Sequence, residues 1–227
     1  MTMQRYEQNI VALALAVLCS IGVPFTAKSA EEVPNQLARS DSSLCENDKT
    51  PAEAKIAACT RFIDSGPQDN NRLARAYSNR GTGFAVKRDL DHAMADFDRA
   101  IDLDASIAAV HYNRGNVWST KGELERAIAD FSQAIRLEPK FFQAHMARAA
   151  AYLRRKDFNS ALQDADQLVT YEPRSPVASD ARAYILALLG RRDEAITEYR
   201  RALPLAADIP QLQADIASKL KQLGVKD

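Results

Sequence analysis

ARAYSNRGTGFAVKRDLDHAMADFDRAIDLDASI, residues 74–107, and AAVHYNRGNVWSTKGELERAIADFSQAIRLEPKF, residues 108–141, stand end to end and match column by column. Two further rows of 34 residues follow without insertion, 142–175 and 176–209. One column holds Tyr77, His111, His145 and Ser179, and the next holds Gly81, Gly115, Ala149 and Ala183. Three residues on come Phe84, Trp118, Tyr152 and Leu186. Later columns hold Ala93, Ala127, Ala161 and Ala195, then Phe97, Phe131, Ala165 and Tyr199, then Ala100, Ala134, Leu168 and Ala202. Small side chains let two helices of a row approach closely, and the aromatics fill the space beside them. A row cannot bury its apolar face alone, so stacked neighbours must supply the core.

The alternation of small and aromatic columns, with row ends at Ala105, Pro139, Pro173 and Ala207, resembles the tetratricopeptide repeat family. The resemblance covers residues 74–209. It implies an all-α fold, a right-handed α-solenoid of four helical hairpins, with the rows 74–107, 108–141, 142–175 and 176–209 as its repeats. Polar turns split each row into two helices: Lys87-Arg88-Asp89, Lys121-Gly122-Glu123, Arg155-Lys156-Asp157 and Gly190-Arg191-Arg192-Asp193. Row 1 departs from the pattern with Arg88 where rows 2 and 4 have Gly122 and Gly190. Row 3 departs with Ala165 in a large-aromatic column.

Residues 30–73 read as an N-terminal cap. Thr50-Pro51 opens a helix to about Ile63, stopped by Gly66-Pro67, and the spacing of Ala58 and Phe62 makes it half a repeat. Residues 30–44 are polar and read as loose chain. Cys45 then lies in a polar loop with no core to enter, which favours a Cys45–Cys59 disulfide over a buried free thiol at Cys59. Closing that fifteen-residue loop contributes about 3 kcal/mol in the chain-entropy model. Behind row 4, residues 210–227 form a capping helix started by Pro210, with Leu212, Ile216, Leu220 and Leu223 on one face.

Residues 1–29 have the layout of a signal peptide: Arg5, an apolar run from Ile10 to Ile21, then Gly22, Pro24 and the small residues Ala27 and Ser29 before a cut. The run is short for a membrane span, which needs about 20 apolar residues; an uncleaved anchor is the alternative. Removing Arg5, Lys28 and Glu7 from the 30 bases and 30 acids of the 227-residue chain leaves a net charge of −1. That balance argues against a nucleic-acid partner, which calls for a basic face. The Asn79-Arg80-Gly81 and Asn113-Arg114-Gly115 runs resemble envelope members of the family and imply a periplasmic or secreted bacterial protein, off the membrane once the signal is cleaved.

Nothing in the motifs points to catalysis, a cofactor or a metal. No nucleophile has a base at motif spacing, and two thiols are too few for a zinc site. Gly81-Thr82-Gly83 sits inside a helical pattern rather than after a strand, so it is no phosphate loop. His111 and His145 read as core histidines, with His92 elsewhere. Two polar columns balance: Arg80, Arg114, Arg148 and Arg182, and, sixteen residues on, Asp96, Asp130, Asp164 and Glu198. They are expected to pair, within a row or between rows.

What remains is a surface. The resemblance implies that the first helices line a concave groove that holds a protein or peptide segment. The groove residues are then Arg75, Ser78 and Thr82 from row 1, Tyr112 and Asn116 from row 2, Gln143, Met146 and Leu153 from row 3, and Asp180 and Tyr184 from row 4. The family's basic-then-Asn clamp for a terminal carboxylate is absent: its places hold Ser78 with Thr82, Tyr112 with Asn116, and Met146 with Ala150. The expectation is a non-enzymatic adaptor or scaffold of the cell envelope, a monomer or weak homo-oligomer. The alternative is a self-associating structural protein.

Overall fold

The computed structural model of the chain describes residues 41–66 and 69–225. The signal segment 1–29, residues 30–40 and Pro67 lie outside the described residues. Among the described residues, a helical stretch at 41–46 is followed by ten helices: α1 (Ala52–Asp64), α2 (Asn70–Val86), α3 (Leu90–Leu103), α4 (Ala108–Lys121), α5 (Leu124–Leu137), α6 (Phe142–Arg154), α7 (Phe158–Tyr171), α8 (Pro176–Leu188), α9 (Arg192–Leu205) and α10 (Pro210–Gln222). No strand occurs among the described residues, and no helix there is long and apolar enough to cross a membrane.

The helices form an α-solenoid. The second helices α3, α5, α7 and α9 begin at Leu90, Leu124, Phe158 and Arg192, one row apart each time. Pro210 follows Pro176 by the same step, so α10 stands where a fifth first helix would begin. Each helix packs on its successor, and in addition α2 meets α4 and α4 meets α6. The first helices of rows 1 to 3 therefore lie closer together than their second helices do. That difference bends the array and puts α2, α4, α6 and α8 on the inner face.

The turns inside the rows share one geometry. Arg88, Gly122, Lys156 and Gly190 occupy one column, and all four adopt the left-handed region, with φ of 65°, 84°, 61° and 75°. The next backbone N–H closes the turn by donating to the aromatic-column carbonyl: Asp89 to Phe84, Glu123 to Trp118, Asp157 to Tyr152 and Arg191 to Leu186, at 2.9–3.0 Å. This helix-ending motif satisfies carbonyls the helix leaves bare and suits glycine best. Asp89 and Asp157 then cap α3 and α7 by accepting from the His92 and Ser160 N–H groups.

The small column does what its size suggests. A Cβ on Gly81 would stand 3.0 Å from the Phe97 ring, and one on Gly115 only 2.7 Å from the Phe131 ring. Gly83, outside the small column, lets α2 close on α1, where a Cβ would meet Ile56 at 2.8 Å. Apolar side chains gather in successive clusters along the array rather than in one ball. One joins Phe97 to Val110 and Val117, another Phe131 to Ala151, and the largest runs from Ala161 through Tyr199 to Ile216 and Leu220.

At the front, a disulfide joins Cys45 and Cys59, whose Cα atoms are 4.8 Å apart. Its surroundings differ from the expectation of loose chain ending in a polar loop. Residues 41–46 are helical, and Cys45 is buried with Ala58, Cys59, Phe62 and Ala76. The covalent tie and the Asp41–Arg61 ion pair hold this polar stretch against α1, so its one apolar-lined face finds a core after all.

Lys156→Gly is expected to raise stability by up to about 1 kcal/mol, the relieved left-handed strain less the entropy glycine costs. Gly115→Ala is expected to lower it by about 1–3 kcal/mol through crowding of the Phe131 ring, against alanine's better helix propensity. Denaturant melts followed by circular dichroism check both.

Candidate functional site

The paired polar columns build the joints on which the inner face rests. Each arginine stands on a first helix between two second helices. Arg80, Arg114 and Arg148 grip Asp96, Asp130 and Asp164 with two hydrogen bonds each, at 2.7–2.9 Å. Arg182 reaches Glu198 at 2.8 Å. The same guanidinium groups also reach back sixteen residues to the preceding row: Arg114 to Asp98 at 2.7 Å, Arg148 to Ser132 at 2.9 Å and Arg182 to Asp166 at 2.6 Å. Arg80 instead meets Thr60 of α1 at 3.2 Å. Pairing thus runs both within rows and between them. Five donors on one planar group make this double duty possible.

Burial by itself would raise the Asp130 pKa, but the hydrogen bonds from Arg114, with the His111 ring 3.7 Å away, outweigh it and hold the carboxyl below its usual range. Hydrogen bonding to Asp130 lifts Arg114 above the ordinary guanidinium value against the opposing effect of burial. The histidine column serves the same joints. His111 and His145 are buried, and each donates from Nε2 to a row-end carbonyl, Ala105 and Pro139, at 3.0 Å. His145 Nδ1 also lies 2.8 Å from Asp164. Among the described residues no group of three or more His, Cys, Asp or Glu could hold a metal ion.

On the inner face two hollows open. The front one, about 280 Å³, lies between α2 and α4, lined by Thr82, Ala85, Val86, Asn113, Asn116 and Thr120 over a floor of Phe97 and Val117, with Arg88 at its edge. The rear one, about 210 Å³, lies between α6 and α8, with Met146, Leu153, Tyr184 and Ile185 as its bulky walls. Lys219 closes one side from α10. Its ammonium donates to both Asp180 oxygens, at 2.9 and 3.1 Å, and to Asp215 at 2.6 Å. Burial opposes the Lys219 charge, yet these bonds prevail and raise its pKa. The same ammonium stands 5.8 Å from the Tyr184 ring centre and 5.7 Å from that of Tyr199. Burial pushes the Tyr199 hydroxyl up to about 12.

Six of the ten groove residues read from the sequence line these hollows: Thr82 and Asn116 in front, Met146, Leu153, Asp180 and Tyr184 behind. Four do not. Ser78 is buried, and its carbonyl takes the Thr82 hydroxyl at 3.0 Å, so a small side chain beneath the surface has replaced a contact residue. Tyr112, expected on the groove surface, packs its ring 5.1 Å from Phe141 and 6.0 Å from Phe131. Arg75 is exposed and bonded to Asn71, and Gln143 is exposed outside both hollows. The reading missed Val86, Asn113, Thr120 and Lys219. Asn113 lies one position beside Tyr112, on the flank that faces the neighbouring helix, whereas Val86 and Thr120 lie one turn beyond Thr82 and Asn116 on the same face. Lys219 comes from 39 residues beyond Asp180 and left no local signal.

Fold and inner face together define a helical-repeat solenoid with two hollows between its first helices. Models of the tetratricopeptide repeat match residues 108–141 and 180–209. The chain carries tetratricopeptide repeats. Similar solved structures include MamA, 17% identical, with a TM-score of 0.64 over 78% of this chain and 96% of that one. YrrB, described as a TPR protein with an unusual peptide-binding site, is 19% identical, with a TM-score of 0.60 over 75% of this chain and 88% of YrrB. TTC0263, a thermophilic TPR protein of Thermus thermophilus, is 20% identical, with a TM-score of 0.57 over 84% of this chain and 99% of that one. At such identities the likeness establishes the fold alone. No curated protein matches the chain.

The depressed Asp130 pKa sets a sign. Its stabilisation is present above the unfolded aspartate value of about 3.9 and is lost as pH falls through the lower folded value. Melting temperature is therefore expected to drop steeply below about pH 4. Asp130→Asn should cost about 2–3 kcal/mol at neutral pH, less than a fully stranded buried charge, because Arg114 keeps Asp98. It should also flatten the acid limb; calorimetry across pH measures both.

Proposed function

We propose that this chain is an exported bacterial adaptor of the cell envelope that holds a segment of a partner protein on its concave face. The observation that carries the reading is the pair of hollows on the first-helix side, where Val86 and Tyr184 are 69% and 44% exposed instead of packed. Large side chains left half-open beside polar groups are how protein-binding surfaces are built. Tetratricopeptide-repeat proteins act as protein-interaction modules, and the peptide-binding site ascribed to YrrB is in keeping with that use of the fold. The Cys45–Cys59 disulfide favours an oxidising compartment, in line with the signal-like layout of residues 1–29. Within the hollows, Thr82, Asn116, Met146, Leu153, Asp180 and Tyr184 are the contact residues of this reading.

A photo-crosslinking amino acid placed in the full chain at Thr82 or Tyr184 is expected to trap a partner in envelope extracts. One placed at Ala129, exposed on the second helix α5, is expected to trap none. Adducts from Ala129 alone would overturn the groove reading, and adducts of the chain with itself would favour the self-associating alternative.

A further inference from the structure

The two hollows are the same place in the fold, two rows apart. Thr82, Ala85, Asn113, Asn116 and Val117 of the front hollow occupy the columns of Ala150, Leu153, Ala181, Tyr184 and Ile185 of the rear one, each 68 residues on. Between rows 2 and 3 the equivalent gap is bridged. Arg154 of α6 donates from Nη1 to both the carbonyl and the hydroxyl of Ser119, at 2.8 Å. The inner face therefore offers two separated receptacles with a polar bridge between them, and their chemistry differs. The front hollow sets the amides and hydroxyls of Thr82, Asn113, Asn116 and Thr120 over an apolar floor, and its one charged lining residue is Arg88, which makes no ion pair among the described residues. The rear hollow has apolar walls, and beside it two carboxylates, Asp180 and Asp215, share the single ammonium of Lys219, leaving a net charge of −1.

Resting on the groove reading above, we propose that the concave face reads an extended peptide segment at two points, an acidic side chain at Arg88 and a bulky apolar side chain with a basic neighbour at the rear hollow. Charge complementarity selects this occupant: a positive edge in front, a negative edge behind. The spacing follows from packing. Adjacent helices lie about 8–10 Å apart, so two row steps cover roughly 16–20 Å. An extended chain rising about 3.3 Å per residue covers that in five or six residues. Tyr184 supplies an aromatic wall for the apolar side chain, and Arg154 keeps the middle of the segment at the surface.

Fluorescence anisotropy with the full chain tests this. The probe is a labelled peptide carrying one aspartate, a glycine–serine spacer of about five residues and a leucine–arginine pair, made in both chain directions. One direction is expected to bind. Exchanging the probe's aspartate for asparagine should weaken it about threefold, and Arg88→Ala should erase that difference. Exchanging its leucine for alanine should weaken it about tenfold, and Tyr184→Ala should shrink that difference. These peptide exchanges leave the protein's folding untouched, and circular dichroism melts control for the two variants. No binding in either direction, or binding indifferent to both exchanges, overturns the two-point reading. If the crosslinks at Thr82 and Tyr184 still form in that case, the groove reading stands and this one alone falls.

Discussion

The double-ended arginine is the interaction on which the rest of the structure depends. Arg114, Arg148 and Arg182 each stand between the second helix of their own row and that of the row before, reaching sixteen residues ahead and sixteen behind. An apolar seam alone would let stacked hairpins slide, since burial is non-directional. A fixed fork of donors between two acceptors admits one register. Its energetic return is modest after desolvation, so the ladder's role is to set alignment more than to add stability. Lysine, a single point charge, could not serve both neighbours in this way.

Around that frame the array tolerates local cost where geometry demands it. Arg88 and Lys156 hold the left-handed turn that glycine holds in the other two rows, and the shared backbone bond to the aromatic-column carbonyl keeps them there. Buried His111 and His145 tie rows 2 and 3 to the carbonyls that end rows 1 and 2. Such repeated, nearest-neighbour joints make stability nearly a sum of similar terms along the solenoid. They carry the register at the seam and leave the exposed side chains of the inner face freer to vary.

The variation on that face is where this chain becomes particular. One long side chain, Arg154, converts three equivalent gaps into two hollows. The change from Thr82, Asn113 and Asn116 to Ala150, Ala181 and Tyr184 makes the second hollow more apolar. Lys219, arriving from the closing helix, gives that second hollow a charged rim and couples the cap to the candidate site.

Much of this was legible in the residues themselves. A gapless 34-residue period with Gly81, Gly115 and Ala149 in one column and Phe97 and Phe131 in another determines helical hairpins that nest, because side-chain size repeated at fixed spacing is a local constraint that every row restates. The balanced arginine and acidic columns announced their pairing for the same reason, as did the even pair of cysteines. Only the tertiary structure decided that each arginine has a second acceptor in the row before, that Cys45 is buried, that Ser78 and Tyr112 are taken up by packing, and that Arg154 and Lys219 shape the inner face. Those outcomes turn on atoms from helices far apart in the chain, and a column of letters records what a residue is but not which neighbour stacking brings against it.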